Sequence, residues 1–334
     1  MKIIIPMAGR GSRLRPHTLV TPKPLVPIAG KPMVQRLVED LAGSYGGKIE
    51  EIAFIIGDFG EAVEQQLISI AESLGAKGSV YQQDKPLGTA HAILCAKESL
   101  SGNCFVAFSD TLFKASFSFD PNEDGVIWVQ KVEDPSSFGV VKVDDNNVIT
   151  DFVEKSPIFV SDLAIVGIYY FRDGDMLRDE LQYILDNDIK DKGEYQLTSA
   201  LENMKSKGQK FRPGHIEEWL DCGNKDAVVY TNQRILEFNK EENWVSSKAQ
   251  IDHSVVLPPC YIGDNVKISH SVIGPYVSIG DNSTVEGSVI NNSLIQQDSS
   301  IKNANLCNSM VGSHVEYVGK KSEISLGDYS SSIS

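Results

Sequence analysis

The sequence predicts an α/β domain followed by a β-helix, and three observations carry that prediction. Short apolar runs alternate with helix-length segments up to about Asn239, isolated aliphatic residues recur every five or six positions after about Asn243, and a basic, glycine-bearing loop follows the first apolar run. Ile3-Ile4-Ile5, Ile52 to Ile56, Phe105 to Phe108 and Val126 to Val129 have the length and unbroken apolar character of buried strands. Pro32 to Leu41, Ala62 to Leu74 and Thr89 to Ser99 repeat apolar residues at helical spacing, with Pro32 suited to a first turn. Strand and helix in alternation imply a mixed, mainly parallel sheet covered on both faces, with ligands at the carboxyl ends of its strands. Shorter alternating segments around Val140 to Val143, Val148 to Glu154 and Leu163 to Phe171 suggest antiparallel additions that form a second lobe.

Past Asn243 the texture changes. Ile262, Ile268, Ile273, Ile279, Val285, Ile290, Ile295, Ile301, Leu306 and Val311 follow one another at steps of five or six, and Gly263, Gly274, Gly280 and Gly312 stand directly after four of them. A hexapeptide β-helix of the left-handed kind is expected, each aliphatic pointing into a prism and each glycine easing a corner. A disordered Ser/Asn-rich tail would not keep aliphatic register over that distance. The expected organisation is therefore 1–240 for the α/β domain, 241–320 for the β-helix and 321–334 for a C-terminal tail.

The 334 residues suffice for one large domain and a smaller one, and the mean hydropathy of −0.16 is ordinary for a globular chain. No stretch nears the ~18 apolar residues of a membrane helix, and the N-terminus lacks a signal-peptide core, so a cytoplasmic protein is expected. Five scattered cysteines without CxxC pairing argue against a disulfide framework or structural zinc. A formal charge of −14 disfavours binding to nucleic acid or to an anionic membrane.

Against that acidic background the first segment is an exception. From Met1 to Arg36 the charged residues are Lys2, Arg10, Arg13, Arg15, Lys23, Lys31 and Arg36, and the first acid is Glu39. Gly9 and Gly11 allow backbone N–H groups to approach phosphate oxygens, and the fixed cations add charge beside them. The loop predicts a polyphosphate site. It is neither a dinucleotide fingerprint, which needs glycine where Leu14 stands, nor a phosphate loop ending in Gly-Lys-Ser/Thr.

The opening segment resembles the GxGxRLxPxT…PKP signature of sugar-1-phosphate nucleotidyltransferases. Further motifs fall in the family's order: Gln83 to Ala90, Asp110, Val132 to Pro135 with Phe138-Gly139-Val140, Val153-Glu154-Lys155, Leu163 to Tyr169, Gly193 to Thr198, and Trp219 to Gly223. They span about residues 1–240, and Phe138-Gly139-Val140 with Ala164 to Gly167 is most similar to long-form glucose-1-phosphate thymidylyltransferases. The resemblance implies a Rossmann-like domain, dTTP and glucose-1-phosphate as substrates, and Mg²⁺ as cofactor, with UTP- or GTP-dependent relatives as alternatives. It implies that Arg13 binds the triphosphate, Lys23 the α-phosphate and Lys155 the sugar phosphate, while Asp110 and Asp221 share the metal. Ala8, Gly9, Gly11, Pro86 and Thr89 would flank the nucleotide, Gln83 and the Gly88 backbone would read the base, and Glu154 and the Gly139 backbone would contact the sugar. A homo-oligomer is expected, and no nucleic-acid or membrane partner.

Other readings remain open at this point. A noncatalytic subunit that senses nucleotide sugars would share the fold, and β-helices also occur in acyltransferases that use a histidine base, which brings His253, His270 and His314 into view. Three histidines scattered over a short repeat fit a solvated surface better. His17 and His91 lie inside motifs, yet the chemistry requires neither. Arg10 replaces a glycine common in the family, Ser109 and Thr111 flank Asp110 in place of the usual Gly and Asn, and Ser199 follows Thr198 where Asp is frequent.

Overall fold

The computed structural model describes residues 1–114, 119–320 and 322–331. The chain divides into two compact units, one of 1–26 with 31–224 and one of 27–30 with 225–334.

The first unit is built on a nine-stranded sheet. Its parallel part comprises β1 (Lys2–Pro6), β2 (Glu51–Ile56), β3 (Lys77–Gln82) and β4 (Cys104–Ala107), in spatial order β4-β1-β2-β3. Ile3, Ile4 and Ile5 are fully buried because β1 has a neighbour on each side and cover on each face. Parallel pairing brings the carboxyl ends of β1, β3 and β4 to one edge, where the loops after Pro6, Gln82 and Ala107 begin. A short ladder beyond that edge joins β5 (Thr111–Lys114) to a later strand. The segments expected to form a second lobe instead continue the same sheet: β6 (Gly125–Lys131), β7 (Gly139–Val143), β8 (Ile149–Glu154) and β9 (Leu163–Phe171). The nine-residue β9 explains this, since it pairs antiparallel with β4, β6 and β7 and carries the hydrogen bonding straight across. Next to β6 lies β10 (Phe211–His215) in parallel, and β11 (Glu218–Asp221) pairs with β5.

Helices α1 (Met33–Tyr45), α2 (Glu61–Ser73), α3 (Thr89–Leu94), α4 (Gly174–Asp186) and α5 (Leu197–Ser206) belong to this unit. The α3 pattern expected to reach Ser99 stops at Leu94, because the following N–H groups of Ala96, Lys97 and Ser99 bond three residues back rather than four. On α1, burial pushes the Asp40 carboxyl up to about 6, against the pull of Arg36 and Lys31 and with the push of Glu39. The folded state thus holds that proton more tightly than the unfolded chain, and stability falls as pH rises through that range. Asp40→Asn is expected to stabilise the protein by about 1–2 kcal/mol at pH 8, with no gain near pH 4, as read from urea midpoints at the two pH values.

The second unit consists of α6 (Lys225–Phe238), the segment Pro27–Gly30 and a β-helix of three parallel sheets. Strands pair at offsets of 17 and then 16 residues, as in Cys260 with Val277 and Val277 with Ser293. Three steps of five or six residues therefore close one coil. Ile262, Ile279 and Ile295 form one inward column, Ile268, Val285 and Ile301 a second, and Ile273 with Ile290 a third, all at most 1% exposed. The compact units divide at 224/225, so α6 belongs to the second unit although the expected α/β domain of 1–240 includes it. Within this unit the Asn232 carbonyl of α6 accepts the Ala29 N–H at 3.1 Å and the Ser278 hydroxyl at 2.6 Å, and Gln296 donates to the Pro27 carbonyl at 3.1 Å.

The corners also differ from expectation. Left-handed backbone falls mostly on Asn and His, including Asn265, Asn282, Asn303 and Asn308; of the glycines after the aliphatics Gly274 has a positive φ, 103°, whereas Gly263 and Gly280 do not. Gly263 and Gly280 serve another need, since a Cβ would sit 2.2 Å from the Asp281 carboxylate or 2.5 Å from the Gln297 nitrogen on the next coil. His253, His270 and His314 occupy such corners at φ of 45°, 50° and 57°, and the rings of the first two stack at 5.3 Å. Polar residues that tolerate this conformation account for all three. In the expected tail, 322–331 carries no helix or strand, and positions 321 and 332–334 lie outside the described residues.

Candidate active site

The loop after β1 is tied down by its own backbone. Gly11 takes a left-handed φ of 59°, its carbonyl accepts the Leu14 N–H at 3.0 Å and the Thr18 hydroxyl at 2.7 Å, and buried Leu14 anchors the turn. A Cβ on Gly11 would meet the Lys23 Cβ at 2.8 Å, so the glycine makes room for that lysine. Lys23 is 8% exposed, in a single 3₁₀ turn, and its Nζ lies 2.7 Å from Oδ2 of Asp110.

Asp110 stands in the tight turn between β4 and β5, where its carbonyl accepts the Cys222 N–H at 2.9 Å. The β5–β11 ladder sets Asp221 opposite Thr111, one residue from Asp110. Burial lifts the Asp221 carboxyl above its ordinary range, the charge of Asp110 lifts it further, and Lys23, the Gly223 N–H and Arg13 pull it back. Two carboxylates and two cations thus share one small volume.

These groups border two cavities. The first, about 420 Å³, is lined by Ala8, Gly9, Gly11, Arg13, Lys23, Gln83, Pro86, Gly88, Thr89 and Asp110 among others. The second, about 560 Å³, is lined by Gly139, Glu154, Lys155 and Asp221, again with Arg13, Thr89 and Asp110. The structure therefore places every site residue expected from the sequence on one wall or the other, and Arg13, Thr89, Phe108, Asp110 and Glu194 on both.

On the wall of the first cavity, Gln83 follows β3 with its N–H on the Ile56 carbonyl at 2.8 Å. Gly88 has a φ of 121°, and a Cβ there would lie 2.4 Å from the Tyr195 carbonyl oxygen. Only glycine fits, because the obstacle is backbone. The Thr89 hydroxyl donates to Gln196 Oε1 at 3.1 Å and accepts the Leu197 N–H at 2.9 Å, so it braces the site.

In the second cavity Glu154 accepts the Thr198 hydroxyl at 3.2 Å and lies 3.4 Å from Lys155 Nζ, and Gly139 leaves space for its carboxylate. Lys155 adopts a left-handed φ of 42°, and Lys192 Nζ donates to both carbonyls of the Glu154-Lys155 pair, at 3.1 and 2.5 Å. The sequence motifs alone assign no role to Thr198, Lys192, Glu194 or the Phe138–Trp219 ring pair, 4.9 Å apart, although all but Lys192 lie within motif stretches.

The donor chemistry here can be tested against a divalent cation. No cluster of three or more His, Cys, Asp or Glu among the described residues could cage a metal. Asp110 and Asp221 offer two hard oxygen donors beside a cavity, with a mutual repulsion that a cation would relieve. That set fits Mg²⁺, which keeps waters and takes its other ligands from phosphates.

Residues 2–237 match the nucleotidyl transferase family. The chain belongs to that family. It is 33% identical over 268 residues to the low-salt glycan biosynthesis nucleotidyltransferase Agl11 of Haloferax volcanii, across 77% of this chain and 72% of that one. It is 31% identical over 253 residues to the bifunctional protein GlmU of Methanococcus maripaludis, across 75% of this chain and 57% of that protein's length. It is 36% identical over 190 residues to the mannose-1-phosphate guanylyltransferase catalytic subunit beta of Drosophila pseudoobscura, across 54% and 50%. A UDP-glucose pyrophosphorylase solved with UDP-glucose superposes with a TM-score of 0.57 at 22% identity, over 71% of this chain and 98% of that one, a likeness of fold. No helix of the described residues is long and apolar enough to cross a membrane.

Proposed function

We propose that the chain transfers a nucleotidyl group from a nucleoside triphosphate to a sugar 1-phosphate, with dTTP and glucose-1-phosphate as the preferred pair. The observation that carries the reading is the wall the two cavities share, because Arg13 and Asp110 stand where the contents of both would meet. A sugar-phosphate oxygen attacks the α-phosphorus, the bond from that phosphorus to the bridging oxygen breaks, and pyrophosphate leaves with the electron pair. The nucleophile is already an anion, so positioning and charge stabilisation do the work rather than a strong base.

Arg13 would bind the triphosphate and the departing pyrophosphate, its planar fork matching phosphate oxygens. Lys23 would exchange its Asp110 partner for the α-phosphate, and Lys155 would hold the sugar phosphate beside Glu154, which with the Gly139 backbone contacts sugar hydroxyls. Ala8, Gly9 and Gly11 would lie along the phosphates, and Gln83, Pro86, Gly88 and Thr89 around the base. Mg²⁺ held by Asp110 and Asp221 would offset the negative charge of the two phosphate groups as they approach. We place the reaction in the cytoplasm and the β-helix in self-association or support of the catalytic unit.

The names of the relatives bring UTP, GTP and mannose-1-phosphate into the test. A matrix of dTTP, UTP and GTP against glucose-1-phosphate, mannose-1-phosphate and N-acetylglucosamine-1-phosphate, scored by Mg²⁺-dependent pyrophosphate release, is expected to peak at dTTP with glucose-1-phosphate. A thymine methyl is worth only ~1–3 kcal/mol in an apolar pocket, so UTP is expected within about a hundredfold. Turnover of no pair would turn the reading to a noncatalytic sensor of nucleotide sugars.

A further inference from the structure

The Gln83 amide has a defined orientation, and a residue outside the cavity wall defines it. Its Nε2 lies 3.4 Å from the Gly88 carbonyl oxygen and 3.1 Å from Nδ1 of His91, one turn into α3. A carbonyl can only accept, so the amide atom facing Gly88 is the NH₂. That nitrogen carries a second hydrogen, which is directed at His91 Nδ1. The imidazole must then accept through Nδ1 and carry its own proton on Nε2. The neutral ring this requires is favoured where it sits: burial holds His91 below its ordinary value, with the Asp84 charge opposing and the Lys85 charge reinforcing. Both amide hydrogens are thereby spent on the protein, and Oε1 is left without a partner among the described residues, on a side chain that lines the cavity proposed for the base.

We propose that His91 is a positioning residue for base selection, locking Gln83 so that it presents an acceptor and admits only bases with a ring N–H on their pairing edge. This rests on the nucleotidyl-transfer reading above. Uracil and thymine offer N3–H and guanine offers N1–H, whereas cytosine N3 and adenine N1 are lone pairs that would face Oε1 and repel it. A freely turning glutamine would discriminate poorly, since it could show NH₂ to cytosine as readily as oxygen to uracil. With the amide held at two points, turning it to suit cytosine would break both bonds and leave the Gly88 carbonyl facing another oxygen. The strand end that fixes the Gln83 backbone and the glycine that fixes the Gly88 carbonyl complete the device.

The test uses the full-length chain with its best sugar 1-phosphate and compares UTP with CTP by pyrophosphate release. Wild type is expected to favour UTP by about a hundredfold or more in kcat/KM, the scale of a buried polar mismatch. His91→Leu removes the acceptor and should cut that ratio about tenfold, mainly through a lower KM for CTP, whereas His91→Asn, which restores an acceptor near the Nδ1 position, should keep most of it. A merely structural role for His91 would lower turnover of both nucleotides together and leave the ratio unchanged, which overturns the proposal. Equal use of UTP and CTP by wild type overturns it without any variant, so a poorly folded His91→Leu does not protect the idea. Failure of wild type with every nucleotide overturns the nucleotidyl-transfer reading and takes this inference with it.

Discussion

Asp110→Asn is expected to lower Mg²⁺-dependent pyrophosphate release by about a thousandfold while the chain stays folded. The substitution keeps the shape of the side chain and the backbone bond from the Cys222 N–H to its carbonyl, and it removes one of two carboxylates proposed to hold the cation. It also removes the partner of Lys23, which is 8% exposed. With Asp221 left as the carboxylate beside that ammonium, loss of the closer counter-charge should cost about 1–3 kcal/mol, read as a lowered urea midpoint rather than loss of the transition. A further readout separates a metal role from general damage. With the carboxylate gone, Lys23 is free to meet an anion, so metal-free triphosphate should bind Asp110→Asn at least as tightly as wild type. Weaker metal-free binding, or turnover near the wild-type rate, would sink the assignment.

Gly88→Ala is expected to be the most damaging single-methyl change in the site. Its Cβ would lie 2.4, 2.7 and 3.0 Å from the O, N and C of Tyr195, and none of these atoms can step aside without breaking the bonds that tie Tyr195 to Leu87 and Ala90. The φ of 121° adds strain that an L side chain rarely tolerates. We expect a loss of about 3 kcal/mol or more in stability and a rise of at least about tenfold in KM for the nucleotide, because the Gly88 carbonyl also steadies Gln83. Gly9→Ala is the control for stability, since a Cβ there meets nothing within 4 Å and its φ lies outside the left-handed region. Equal melting temperatures for the two variants would refute the steric account.

The parts of this molecule legible from sequence are those whose signal is local. Ile3-Ile4-Ile5 reads as a central strand because burial on both faces leaves no polar alternation, and the β-helix reads out because each coil repeats the same demand for an inward aliphatic. The basic loop stands out because it contradicts the charge of everything around it. Pairings that join distant positions left no such trace. Lys23 meets Asp110 across 87 residues and Asn232 meets Ala29 across 203, and neither contact has a period or a motif of its own. The same holds for β9, whose residues read as an ordinary strand although its antiparallel pairing turns what was expected to be a second lobe into more of one sheet. His91 is the sharpest instance. Its place inside a motif gives it no role of its own, and only the position of Nδ1 against an amide gives it work to do.

The offsets of 17 and 16 residues between stacked strands have a consequence for how such a chain changes length. Adding or removing one or two residues inside a coil rotates every later side chain off its column and turns aliphatics toward water. A whole coil can come or go with each column still in line, since its neighbours present the same three edges above and below. The solenoid's size is therefore quantised, and its natural unit of variation is the coil rather than the residue.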